Sequence, residues 1–289
     1  MTHKPTLGVI GAGRVGSVLG SLAVQAGYPG VSVYSRSRMH AEALAARMGA
    51  SVAASAREVV VRADLTLLTV PDDLIVPVSV EIADQLAQSG QRVSRGLVHT
   101  SGLHGADILQ HLEYYGLSVG SLHPAYPFAN DSLASLDGVI FAVETRHRGL
   151  RNLLHTLVDS LGGRGFDIEP GGKARYHAAL VFASNYAVVL YAAAERLLAA
   201  LKIEDDLARS ALISLMQATL ANLADKGVPD ALTGPIVRGD SGTVAAHLAA
   251  LTADADLHSL YKALALAALP LAEARGVDTR QLRATIETG

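Results

Sequence analysis

Hydrophobic and polar positions change their rhythm partway along the chain. Up to about residue 170, short β-branched runs alternate with helix-like segments: TLGVI, VSVYS, LTLLTV, GLVHT, LSVGSL and GVIFAV are each bounded by Gly, Pro, Ser or charged residues. Strands alternating with helical patterns predict βαβ units and a mostly parallel sheet. After EPGGK (169–173) the strand signals stop, and Ala and Leu recur at helical spacing to the end, interrupted mainly at KGVPD, LTGPIVRGDSG and ARGVD. The pattern therefore predicts a doubly wound α/β Rossmann-type sheet over residues 1–169, followed by an all-α domain over 170–289. One long apolar run, 178–194, falls short of the ~20 residues that span a bilayer and carries Ser184 and Asn185 inside it. It reads as a buried helix.

Composition narrows the function classes. The 289 residues are 50% hydrophobic, enough for one large core or two moderate ones. The 24 basic and 27 acidic residues are spread along the chain, so no basic stripe tracks a phosphate backbone and nucleic acid is not an expected partner. The chain has no cysteine, which removes disulfides, thiolate metal sites and a cysteine nucleophile; no metal is expected. MTHKPTLGVI leads straight into a strand without an apolar signal region, so a cytoplasmic, non-membrane protein is the expectation.

The first chemical motif is GVIGAGRVGSVLG, 8–20. Gly11, Gly13 and Gly16 form G-x-G-x-x-G between a strand and a helix. The first allows a tight turn, the second lets a pyrophosphate approach the backbone, and the third lets helix and strand pack closely. The helix start, with Arg14 and Val15, offers N–H groups and partial positive charge to phosphates. The alternative is a glycine-rich turn that serves packing alone. The second strand, VSVYSRSR, ends without the acid that accepts hydrogen bonds from an NAD ribose; it supplies Ser35, Arg36, Ser37 and Arg38 instead. A guanidinium and hydroxyls suit a 2′-phosphate, so NADP is expected, with Arg36 and Ser35 as contacts. The strand end LLTVPDDLI places Val70 and Pro71 beside the cofactor, with Asp72 read as a helix cap. Thr100 joins them from the next strand end.

Further strand ends supply candidate substrate chemistry. In LVHTSGLHG, Gly102 leaves room for a ligand near the backbone; Ser101 either holds substrate or caps a helix, and His99 reads as an inward, hydrogen-bonded structural residue. His123 ends a strand in SLHP, where the following proline keeps it extended. Its imidazole is either a proton donor or a brace. LTGPIVRGD, 232–240, offers Arg238 for a substrate carboxylate with Asp240 beside it; the two could instead pair or cap the next helix.

Together the glycine fingerprint, VPD, HTSG (99–102), SLHP (121–124), YHAALVFASN (176–185) and LTGPIVRGD resemble a predicted oxidoreductase family in which a Rossmann domain precedes a helical DUF2520 domain. That family is similar in architecture to ketopantoate reductases, pyrroline-5-carboxylate reductases and 6-phosphogluconate-type dehydrogenases. The resemblance implies an NADP-linked reductase with its substrate cleft between two domains. In the ketopantoate-reductase and hydroxyacid-dehydrogenase relatives a lysine on the first long helix of the second domain donates the proton, with an asparagine one or two turns later. If Asn185 matches the asparagine, the lysine position falls on His177; Lys173 lies one turn earlier. His177, His123 and Lys173 thus compete for the acid role, with Asn185 orienting substrate. The expected reaction is hydride transfer from NADPH to a small carboxylate-bearing 2-keto acid, ketopantoate-like, or an imine. The alternatives are a non-catalytic NADP sensor and a deazaflavin-linked enzyme. A homodimer through the helical region is expected.

Overall fold

In a computed structural model, residues 4–129 and 135–289 are described. Eight strands form one sheet: β1 (Leu7–Ile10), β2 (Gly30–Tyr34), β3 (Ser51–Val52), β4 (Leu65–Leu68), β5 (Gly96–His99), β6 (Ser118–Pro124), β7 (Ile140–Glu144) and β8 (Arg164–Asp167). Their spatial order is β3-β2-β1-β4-β5-β6-β7-β8. All neighbours pair in parallel except β6 and β7, which run antiparallel. The order reverses direction at β1, so the crevice beyond the carboxyl ends of β1 and β4 is the topological switch point where such sheets take ligands.

Helices α1 (Arg14–Gln25), α2 (Arg38–Met48), α3 (Ala56–Arg62), α4 (Asp72–Ser89) and α5 (Arg148–Ser160) connect the strands, with a 3₁₀ segment at Ala106–Tyr115. Two apolar clusters cover the sheet. One joins Val9, Val18, Leu44, Leu67, Phe141 and Leu154; the other joins Ile10, Val59, Ile75, Ile82, Leu97 and Leu112. Strands β1, β4 and β5 are buried along their whole length, which is why they read as unbroken apolar runs.

By its internal contacts the chain divides into Met1–Asn185 and Tyr186–Gly289. The first unit ends with α6 (Lys173–Ala183); the second holds α7 (Asn185–Ala200, starting at the junction), α8 (Asp205–Lys226), α9 (Ser241–Leu251), α10 (Ala255–Glu273) and α11 (Arg280–Thr288). The core of the second unit is Val244, Leu248, Ala265, Leu269, Leu282 and Ile286, from α9 to α11.

Two expectations change here. The apolar run 178–194 is not one buried helix: α6 ends at Ala183, Ser184 forms a one-residue turn with φ −113° and ψ −69°, and α7 begins at Asn185. No residue of α7 is buried, and Lys173–Ala200 taken together is long and apolar enough to cross a membrane by length and composition alone. Apolar periodicity signals a face that needs covering, and here the chain itself does not cover it. Asn185 opens α7 and is exposed, whereas Lys173, at the start of α6, is buried.

Candidate functional site

The glycine loop has the geometry that its sequence demands. Gly11 adopts φ +100°, a conformation strained for any other residue. A Cβ on Gly16 would lie 2.1 Å from the Gly11 carbonyl oxygen and 2.4 Å from Thr69 Oγ1, so α1 packs on the loop and on β4 only because this position has no side chain. Nothing lies within 4 Å of a Cβ built on Gly13, which N-caps α1 without any side-chain cap bond. Its backbone faces open space at a helix start, the surroundings a pyrophosphate requires. Thr69 Oγ1 donates to the Gly11 carbonyl at 2.5 Å, fastening the loop to the end of β4.

Two cavities follow the strand ends. One of about 590 Å³ is lined by Gly11, Gly13, Ser35, Arg36, Val70 and Pro71, with His40 and Ser37 beside Arg36. The second, about 520 Å³, is lined by Gly13, Arg14, Val15, Val70, Pro71 and Asp72, and beyond them by Thr100, His123, Tyr126 and Phe128. All the residues assigned to a cofactor from the sequence, Gly16 included through its contacts, therefore border one continuous set of strand ends. His40 was not foreseen; it sits at the first turn of α2, where Ser37 Oγ accepts its backbone N–H, and only that turn brings it to the cavity. Arg14 Nη1 donates to the carbonyls of Phe128 and Ala129 at 3.2 and 3.3 Å, which holds that segment beside the second cavity, where Tyr126 and Phe128 are part of the lining.

Behind these cavities the turn after β5 is braced on three sides. His99, wholly buried, accepts the Ser101 N–H at Nδ1 (3.2 Å), and its Nε2–H donates to the Gly105 carbonyl (2.9 Å). Burial lowers its pKa to about 4, so the ring is neutral and this tautomer is the consistent one. Ser101 Oγ donates to Asp72 Oδ2 at 2.8 Å and accepts the N–H groups of Leu103 and His104 at 3.1 and 3.0 Å. Its hydroxyl thus closes the turn, and Asp72, exposed at the first position of α4, holds that hydroxyl without capping its own helix. The third brace is Lys173. It is 2% exposed, and its Nζ donates to the Ser101 carbonyl at 2.7 Å and to Ser121 Oγ at 2.8 Å. Burial lowers its pKa to about 8, against the nearby carboxylates of Glu144 and Asp72, which favour its charge. The ammonium ties the start of α6 to the ends of β5 and β6, a contact that helical spacing cannot reveal.

The braced turn presents Gly102 to two imidazoles. A Cβ there would lie 2.6 Å from His177 Cδ2 and 2.9 Å from His123 Nε2. The rings stand edge to face, 6.3 Å between centroids. His123 is further held at Nδ1, 2.9 Å from the Tyr176 hydroxyl, and Tyr176 packs edge to face on both His123 and Phe166. Burial first, then the charges of Lys173 and His177, lower the His123 pKa to about 4. The two histidines and Lys173 thus meet at one turn, while Asn185 is exposed at the junction of the two units. In the second unit Arg238 is exposed at the end of the 3₁₀ turn Ile236–Arg238, and Asp240 caps α9, accepting from Thr243 N and Oγ1 at 3.0 and 2.7 Å.

Tyr176 had no assigned role in the sequence reading. Its only signal was an aromatic hydroxyl next to His177, and its partner lies 53 residues away in sequence.

Comparison with known proteins agrees with this architecture. A Rossmann-like domain profile matches residues 2–124, and the profile of a domain of unknown function, DUF2520, matches 139–268. No curated protein sequence matches the chain. Among solved structures, a protein of Thermotoga maritima is 23% identical with a TM-score of 0.75, covering 94% of this chain and 100% of its own. An imine reductase from Myxococcus stipitatus in complex with NADP+ is 20% identical with a TM-score of 0.63, covering 93% of each chain. A pyrroline carboxylate reductase of Plasmodium falciparum with NADP bound is 15% identical with a TM-score of 0.60, covering 96% of this chain and 100% of its own. At these identities the likeness is one of fold. The two matches lie in series along the chain, a Rossmann-like profile followed by the DUF2520 profile.

Proposed function

We propose that this protein is an NADP(H)-dependent oxidoreductase that reduces the carbonyl or imine carbon of a small, carboxylate-bearing substrate, a 2-keto acid of ketopantoate type or a cyclic imine. The observation that carries the reading is the run of cavities from Arg36 past the glycine loop to His123, along one edge of the sheet. Arg36, Ser35, Ser37 and His40 supply the charge and hydroxyls for a 2′-phosphate, and no acid stands among them to repel it. Gly11, Gly13 and the N-terminus of α1 take the pyrophosphate. When bound, the dihydronicotinamide supplies a hydride. His123 and His177 then flank the place where the reacting atom sits, beside Gly102. Arg14 lines the second cavity together with one carboxylate, Asp72, and is the cation there that can pair with a substrate carboxylate. The NADP-bound imine reductase and pyrroline carboxylate reductase of the same fold support the cofactor and the reaction class.

The cofactor assignment is tested by fluorescence titration with NADPH and NADH. Arg36→Ala is expected to weaken NADPH binding on the order of 10- to 100-fold, the value of a charge-assisted contact to phosphate, and to leave NADH binding unchanged. Equal affinity for both cofactors in the unmodified chain would remove the NADP reading.

We also propose that a second copy of the chain covers the apolar faces of α7 and α8. Val188, Val189, Leu215 and Leu220 are each at least half exposed there, spread along two long helices, whereas α9 to α11 have closed their own core. Exposed large apolar side chains at this density on two long helices are characteristic of a subunit interface. Sedimentation at micromolar concentration is expected to show a dimer, and a monomer would overturn this assignment.

A further inference from the structure

The His123–Tyr176 pair fixes a choice that the reaction class leaves open, and the following rests on the oxidoreductase reading above. We infer that Tyr176 is a positioning residue that locks His123 as the neutral Nε2–H tautomer, so that the site accepts a carbonyl oxygen and rejects a protonated imine.

The 2.9 Å contact between His123 Nδ1 and Tyr176 Oη admits two arrangements. In the first, the phenol donates to an unprotonated Nδ1, and the ring proton sits on Nε2. In the second, Nδ1–H donates to the phenol oxygen, and the phenol proton must find another acceptor. Among the described residues His123 is the hydrogen-bond partner shown for Tyr176, whose ring is otherwise walled by Phe166 on one side and the Lys173 ammonium 5.7 Å from its centroid on the other. Neither neighbour can accept a proton. The first arrangement satisfies both groups within the chain, and the second leaves the phenol proton with no partner in the chain. Burial raises the phenol pKa to about 12, keeping the donor proton in place through the neutral range, and His123 stays uncharged there.

Nε2 then faces Gly102, where the turn carries no side chain. A carbonyl oxygen has lone pairs to accept the Nε2 hydrogen. A protonated imine has none on nitrogen and brings its own N–H and positive charge against a donor, near the buried Lys173 ammonium. When hydride reaches the carbonyl carbon, the π pair moves to oxygen, which takes the Nε2 proton. As Nε2 gives up its proton, Nδ1 takes the Tyr176 proton; once product leaves, water protonates Nε2 and Nδ1–H returns its proton to the phenolate. The net change is one hydride and one water-derived proton added across C=O, with the starting tautomer regenerated.

The test reads the tautomer directly, without cofactor or substrate. Long-range ¹H–¹⁵N spectra of the full chain, with His123→Asn to assign the ring, are expected to show Nδ1 unprotonated, Nε2 protonated, and no charging of the ring above about pH 5. In Tyr176→Phe the two tautomers are expected to mix and the titration midpoint to rise, because a bond to the neutral form is lost. An Nδ1–H tautomer in the unmodified chain, or spectra unchanged in Tyr176→Phe, would overturn the inference. With NADPH and size-matched 2-keto acids and cyclic imines, Tyr176→Phe is expected to lower kcat on the order of 10- to 100-fold at unchanged KM for NADPH, with the keto acids preferred. Efficient reduction of cyclic imines insensitive to Tyr176→Phe overturns it as well. Failure of NADPH to bind at all removes the oxidoreductase reading, while the wild-type spectrum still decides the tautomer.

Discussion

Gly16→Ala is expected to abolish measurable NADPH binding and to destabilise the first unit by about 3 kcal/mol or more, as an overpacked core position does. The added methyl would stand 2.1 Å from the Gly11 carbonyl oxygen and 2.4 Å from Thr69 Oγ1. Neither neighbour can step aside cheaply. The Gly11 carbonyl belongs to a turn held at φ +100°, and Thr69 Oγ1 is already bonded to that same carbonyl. Relief must come from moving the start of α1, which withdraws the N–H groups that face the pyrophosphate. Both losses thus have one origin, and they are separable by measurement. Urea denaturation reports the packing cost, and fluorescence titration reports the loss of NADPH. Gly13→Ala is the control: its methyl meets nothing within 4 Å in the free chain, so stability should stay near that of the parent while NADPH, which needs that space, binds more weakly. Full NADPH binding by Gly16→Ala would mean the loop is a packing turn and no cofactor cradle.

The chain wrote some of this plainly and some not at all, and the division follows contact distance. The glycine fingerprint, the apolar strands β1, β4 and β5, and the polar strand ends are local features, fixed by turn geometry and by burial on both faces of a parallel sheet, so they could be read from short windows. Strands β3 and β8 could not. Ser51–Val52 has two residues, and RGFD is mostly exposed; both are sheet-edge strands held by pairing with one neighbour, which composition does not record. Helical periodicity over 178–194 correctly marked an apolar face but wrongly implied that this chain buries it, because periodicity encodes the need for a cover and says nothing of its source. Lys173 is the sharpest case. A lysine in the first turn of a helix reads as solvated, yet its burial comes from Ser101 and Ser121, 72 and 52 residues away. Ser101 itself was even between ligand and cap from the sequence; its three hydrogen bonds show the turn-closing role, and its partner Asp72, read as a cap, turns out to be the group that holds it.

Gly102→Ala carries the second large expectation: turnover should fall on the order of 100-fold, with NADPH affinity and thermal stability close to those of the parent. The new methyl would lie 2.6 Å from His177 Cδ2 and 2.9 Å from His123 Nε2, so it meets the tips of two side chains and no backbone. Side-chain tips can rotate away, and a few tenths to one ångström of relief is enough. The fold therefore survives. The geometry does not, because the Nε2–H that the inference places against the substrate oxygen is the atom displaced, and a misplacement near 1 Å is worth about 100-fold in rate. The brace behind the turn should persist, since His99, Asp72 and Lys173 bind Ser101 and Gly105 and not Gly102. NADPH should still bind, because the glycine loop and Arg36 stand on other strand ends. The informative readout is the pairing of the two constants: kcat lowered at constant NADPH affinity locates the chemistry at Gly102, between His123 and His177. Unchanged turnover would move the reacting atom elsewhere along the sheet edge. Parallel loss of turnover and NADPH affinity would mean that the turn after β5 supports the cofactor and does not face the substrate.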